Sequence, residues 1–80
     1  MDATERMVFE ILHELTAIPV ERIQAQHKLV SDLGMDSVRS MEMLGMLEEK
    51  TGIQMDLEAA MAVEDVASVI ELVRVAHAAR

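Results

Sequence analysis

Apolar residues return every three or four positions along three separate stretches of this chain, which is the period of an α-helix with one buried face. Met7, Val8, Ile11, Leu12 and Leu15 make the first stripe. In the stretch running on from Ser37, read at 100° per residue, Ser40, Met43, Leu44, Leu47 and Thr51 share one side. Val66, Val69, Ile70, Val73 and Ala76 make the last stripe. Each stripe must be covered by another, so the spacing predicts an all-α fold. One proline and three glycines in 80 residues leave room for long helices.

Boundary signals divide the chain. Asp2 or Thr4 can open the first helix, with Glu5 in its first turn. Pro19 disfavours helical geometry at Ile18, so that helix should end near Thr16 and Ala17. Phe9, the one aromatic residue, lies off the stripe's centre and is expected either half exposed or buried against the following loop. A long connection then runs from Pro19 to Asp36, with apolar anchors at Val20, Ile23, Leu29 and Leu33 and a short helical turn at Val20–Ile23. A segment of that length is uncommon in a small domain unless it is packed or functional. Asp36 or Ser37 can cap the second helix, which runs to about Glu49 and closes at a left-handed Gly52 after Lys50. Ile53, Met55 and Leu57 lead into a short third helix around Leu57–Met61. Asp65 or Glu64 can cap the last helix, and 77–80 should fray. The reading is one domain over residues 1–80, three longer helices plus a short third one.

The opposite face of the second helix gathers Val38, Met41, Glu42, Gly45, Glu48 and Glu49, while Arg39, Met46 and Lys50 occupy a third side. Exposed valine and methionine ringed by carboxylates make a docking face, expected to comprise Val38, Met41, Glu42, Glu48 and Glu49, because flexible thioethers adapt to several partners. Arg39 lies at an angle that should leave this face intact. Gly45 costs about 1 kcal/mol relative to alanine in a helix interior. Charge is concentrated in the same part of the chain. Residues 31–65 hold nine acids against two bases, whereas the remainder is almost balanced, within an overall net charge of −8. That sign argues against nucleic acid and would steer basic partners toward the middle of the chain.

No cysteine is present, so the chain supplies no disulfide, thiolate metal site or catalytic thiol. His13, His27 and His77 are scattered, and His13-Glu14 lacks the second histidine of a zinc-protease motif. No metal site is expected. No paired acid and base or nucleophile–histidine constellation stands out, so a stand-alone enzyme is disfavoured. No apolar run approaches the roughly 18 residues of a membrane span, and the N-terminus lacks a signal pattern, so a cytoplasmic monomer without membrane contact is expected.

One hydroxyl is left in a special place. Ser37 stands at a helix start with acids on both sides, where free first-turn amides and the helix dipole favour a phosphate ester. Taken alone, Asp-Ser after a glycine is an ordinary helix cap. Its surroundings change the reading. Asp32-Leu33-Gly34-Met35-Asp36-Ser37-Val38, followed by Met41-Glu42-Met43-Leu44 and Leu47-Glu48-Glu49, resembles the phosphopantetheine attachment region of acyl carrier proteins. The family's usual motif is Asp-Leu-Gly-x-Asp-Ser-Leu, from which Val38 is a mild departure, and the helix and loop lengths on both sides also fit. The resemblance implies a four-helix bundle whose long first loop crosses it. It implies a 4′-phosphopantetheine arm on Ser37, attached by a phosphopantetheinyl transferase for which Asp36 positions the serine. It also implies a mobile third helix bordering an apolar cleft for an acyl chain, for which Met43, Leu44, Met46, Met55, Leu57 and Met61 are the candidates.

The function so implied is a non-catalytic carrier that presents acyl thioesters to acyl-transferring and condensing enzymes of fatty-acid or polyketide-type biosynthesis, partners with basic docking patches. An aminoacyl or peptidyl carrier would share the fold and arm, but such carriers usually lack an aspartate before the serine and are less acidic. A non-catalytic acidic helical adaptor is the other alternative, although the calcium-binding loop of a calmodulin-type adaptor is absent from the sequence. Arg39 replaces an acid common in fatty-acid carriers. With Gly45 and the eight methionines, it tilts the reading toward a specialised pathway.

Overall fold

The computed structural model describes residues 1–79. Four α-helices follow in order: α1 over Ala3–Thr16, α2 over Ser37–Thr51, α3 over Leu57–Met61 and α4 over Val66–Ala78, with a 3-10 turn at Val20–Arg22 between α1 and α2. The expected elements are all present at the expected places. α4 remains helical through His77 and Ala78, which were expected to fray, and Arg80 lies outside the described residues.

α1 starts at a reciprocal cap. Asp2 Oδ1 accepts the Glu5 amide at 2.8 Å, and Glu5 Oε1 accepts the Asp2 amide at 3.0 Å. This satisfies two donors that a helix start otherwise leaves to water. Arg74 of α4 donates to the other Asp2 oxygen at 2.6 Å, tying the two helices at one end. α1 and α2 stop by the same device. Thr16 Oγ1 donates to the Leu12 carbonyl and accepts the Ile18 amide, and Thr51 Oγ1 does the same between Leu47 and Ile53. Between threonine and isoleucine stands a left-handed residue, Gly52 at φ 68° in one case and Ala17 at φ 63° in the other. Glycine adopts that backbone without strain, whereas Ala17 holds it against its own Cβ.

The core joins the three helical stripes. Val8, Ile11 and Leu12 of α1, Met43, Leu44 and Leu47 of α2, and Val66, Val69, Ile70 and Val73 of α4 are buried. Met7, Leu15 and Ala76 pack at its margin. Phe9 is buried, which decides between its two expected positions. Ile23, Leu29 and Leu33 anchor the long connection as expected, with Val20 only partly buried. Met35 is buried too, although the periodicity of α2 does not reach it.

Main-chain hydrogen bonds secure the same connection. Leu29 donates its amide to the Glu64 carbonyl at 2.9 Å, and the Val66 and Ala67 amides donate back to the His27 and Ala25 carbonyls at 3.0 and 2.9 Å. An isolated antiparallel bridge thus joins Lys28 to Asp65 at the entry to α4. Asp65 caps α4, accepting both the amide and the hydroxyl of Ser68 at 2.8 and 2.7 Å. No described helix is long and apolar enough to cross a membrane.

Two tests follow from this packing. Leu47 has no exposed surface, so Leu47→Ala should lower unfolding free energy in urea by about 3–4 kcal/mol. The Ser68 hydroxyl first, then its amide, hold the Asp65 carboxyl below its ordinary value of 3.8; the Glu5 amide first, then Arg74, lower that of Asp2. A carboxyl that is more acidic when folded stabilises the fold above its unfolded pKa, and that contribution fades as pH falls through the folded value. Thermal midpoints measured from about pH 5 downward should therefore fall less steeply for Asp65→Asn than for the parent chain.

Candidate functional site

The connection enters α2 through a tight coil. Residues 28–35 wind through main-chain bonds from Asp32 and Leu33 to the Lys28 carbonyl, from Gly34 to Val30 and from Met35 to Leu29. Asp32 closes the coil by accepting the Lys28 amide on its carboxylate at 2.7 Å. Gly34 takes the left-handed turn at φ 72°. The backbone then extends at Asp36, and α2 begins.

Asp36 is the cap, and Ser37 is the first helical residue. Asp36 Oδ1 accepts the Arg39 amide at 2.8 Å, while its main-chain oxygen accepts the Ser40 amide at 2.9 Å. The choice left open between Asp36 and Ser37 is thereby decided. Ser37 is exposed, and among the described residues no hydrogen bond engages its Oγ. The Ser37 and Val38 amides likewise have no main-chain partner there. A free hydroxyl thus lies at the positive end of a 15-residue helix, beside two open amide donors. This arrangement fits a phosphodiester on Ser37 Oγ.

The docking-face residues divide. Val38 and Met41 are 62% and 50% exposed, and Glu42 and Glu49 are exposed with them. Glu48 is only partly exposed, because its Oε2 accepts the Met55 amide at 2.9 Å and holds the segment between α2 and α3. Arg39, placed by its helical angle away from the centre of this face, reaches one turn along with its guanidinium and pairs with Glu42 Oε1 at 2.8 Å. Five of the nine acids in residues 31–65 are engaged in this way: Asp32, Asp36, Glu48 and Asp65 by amides, and Glu42 by Arg39. Local capping, which a charge count does not register, consumes much of the apparent acidic surface.

The cleft residues are not gathered around one opening. Met43, Leu44 and Met55 are buried and Met46 partly so, while Leu57 and Met61 are about half exposed on α3. Leu57 and Met61 lie outside the core because α3 turns only Ala60 to it. Among the described residues, two concavities stand out. The larger, about 570 Å³, lies at the far end of α2 between Ile53, Met55, Ala59, Leu72, Val75 and Ala76. The smaller, about 360 Å³, is lined by Leu29, Val30, Ser40 and Val63 and edged by Lys28, Ser31 and Glu64. Ser40 stands one turn from Ser37, so the smaller groove is the one adjoining the free hydroxyl. Its walls come from the long connection and from the residues before α4, which no helical stripe brings together.

The family profile described as "Phosphopantetheine attachment site" matches residues 7–73. The chain belongs to the acyl carrier protein family. An acyl carrier protein from Saccharopolyspora erythraea is 35% identical over 63 residues, a match spanning 79% of this chain and 66% of that protein, just under two thirds of its length. A solved structure described as an acyl carrier protein from Mycobacterium tuberculosis superposes with a TM-score of 0.85 at 26% identity, covering 91% of this chain and 97% of that one. The helical fold is therefore that of an acyl carrier, and 4′-phosphopantetheine is the group such a domain attaches.

Cap and hydroxyl are separable by mutation. Removing the α2 cap in Asp36→Ala should cost about 1 kcal/mol of unfolding free energy, whereas Ser37→Ala should stay within about 0.5 kcal/mol of the parent. A larger loss in Ser37→Ala, measured by urea unfolding, would assign the serine a structural role.

Proposed function

We propose that residues 1–80 act as one carrier domain that holds acyl intermediates as thioesters on a phosphopantetheine arm attached to Ser37 Oγ. The observation that supports Ser37 is its unbonded, exposed hydroxyl at the capped start of α2, inside the matched attachment region. Asp36 orients the serine by fixing the first turn. The open amides of Ser37 and Val38 favour the negative phosphodiester there. When bound, the group supplies a terminal thiol that can carry an acyl chain, chemistry that a chain without cysteine does not have. The protein's share of the work is then presentation and shelter. The groove edged by Ser40 is the better candidate for sheltering cargo, on grounds of position, although the groove at the far end of α2 is larger. About 22 Å of helix separates Ser37 from that far end.

Val38, Met41, Glu42 and Glu49 form the surface that a phosphopantetheinyl transferase and later acyl-transferring and condensing enzymes would meet. Glu48 contributes there after its bond to the Met55 amide is exchanged. Fatty-acid and polyketide-type assembly both use such presentation. Arg39 beside Ser37 favours a specialised pathway over bulk fatty-acid synthesis.

Incubation with coenzyme A and a broad-specificity phosphopantetheinyl transferase should add one phosphopantetheine to the parent chain and none to Ser37→Ala, read by intact mass. Absence of a gain on the parent, with the transferase active on a control carrier, would return Ser37 to the role of a plain surface serine. In the loaded chain, Glu42→Lys with Glu49→Lys should weaken binding of a partner with a basic patch, and less so at high salt.

A further inference from the structure

Arg39 bonds to the acid on either side of it, the cap Asp36 through its backbone and Glu42 through its side chain. Arg39 donates its main-chain amide to Asp36 Oδ1 and its guanidinium to Glu42 Oε1, each at 2.8 Å. It is the only base between Lys28 and Lys50. Arg39 and Glu42 are each 49% exposed in their side chains, so the pair lies open on the surface. Val38 and Met41 stand exposed beside it. The surface next to the free hydroxyl is therefore one cation, the two carboxylates bonded to its residue (Asp36 and Glu42) and two apolar side chains. It is a mixed surface with a guanidinium at its centre, although the surrounding sequence is strongly acidic.

We propose that Arg39 is a partner-specificity residue. It selects enzymes that present a carboxylate beside an apolar recess to the start of α2, and it disfavours enzymes that present only basic groups. This rests on the carrier reading of Ser37. A partner's lysine or arginine aimed at Glu42 must displace the guanidinium at i−3 and meets its like charge while doing so. Both effects weaken that contact and slow its approach. A partner's carboxylate meets the opposite situation. A guanidinium has five N–H donors in a planar fork, and Glu42 is bound through Nη1 alone, so the half-exposed remainder can take a second carboxylate. Val38 and Met41 supply the desolvated contact that such a charged pair needs to be worth more than an open surface bridge.

The test measures loading of the apo chain with coenzyme A by a phosphopantetheinyl transferase whose carrier-binding patch is basic, with initial rates read by intact mass. Arg39→Glu should raise kcat/KM about three- to tenfold at about 50 mM salt, and most of that gain should vanish at about 500 mM. Arg39→Gln should gain about twofold, and that gain should shrink in a Glu42→Gln background, where no carboxylate is left to release and only the like-charge repulsion is relieved. A transferase with one docking base changed to glutamate should reverse the order and load the parent chain faster than Arg39→Glu. Equal rates for parent and Arg39→Glu with both transferases would overturn the assignment. So would an Arg39→Gln gain that persists undiminished without Glu42. If the parent and all variants stay unloaded while a control carrier is loaded, the carrier reading of Ser37 itself falls.

Discussion

The three main-chain hydrogen bonds between residues 25–29 and 64–67 are the constraint on which the site depends. A connection running from Pro19 to Asp36 has no helix of its own beyond one 3-10 turn, and loose chain of that length would leave Ser37 without a fixed position. Leu29, Val66 and Ala67 donate across the gap and attach the connection to the entry of α4. Ile23, Leu29, Leu33 and Met35 then have a surface to bury against. The coil at 28–35 and the Asp36 cap follow from that attachment, and the helix start appears where a hydroxyl can be reached. The smaller groove is a by-product of the same stitch, because its walls are the two segments it joins.

The helices were legible because their signals are local. Period, proline, glycine and a short polar cap act within a few residues, and each of α1, α2, α3 and α4 lies where those signals put it. The exposed hydroxyl at the start of α2 was legible for another reason: the pattern from Asp32 to Val38 packs a coil, a left-handed turn, a cap and a hydroxyl into seven residues. What escaped was non-local. Nothing in the spacing of Ala25, His27 or Leu29 tells that their main chain pairs with residues 64–67. Met35 precedes its helix, so helical angles say nothing of its burial. In a five-residue helix residue type says little of burial: Leu57 and Met61 are about half exposed while Ala60 is buried.

Charge shows the same contrast between counting and geometry. The acids of residues 31–65 set a real long-range field, since capping a carboxylate does not remove its charge. Close to the surface, however, a carboxylate already bonded to an amide offers fewer open lone pairs to a visitor. Asp32, Asp36 and Asp65 serve the backbone, Glu48 holds the α2–α3 connector, and Glu42 answers to Arg39. Glu49 remains the acid of the expected docking face with no recorded partner among the described residues. The charged groups left open on this side of α2 are thus few, chiefly Glu49 and the exposed Arg39–Glu42 pair.

α3 is the element least committed to the bundle. It has five residues, no side-chain bond at its Asp56 cap, and one buried residue, Ala60. Protection of its amides against solvent exchange must come from little more than a single turn of helix, whereas the amides of α1, α2 and α4 share the free energy of the whole core. A unit that opens far below the global unfolding free energy can be detached and re-formed many times during the life of one folded molecule. α3 thus adds the least to the shared core, and the bond from the Met55 amide to Glu48 ties the connector that leads into it to α2.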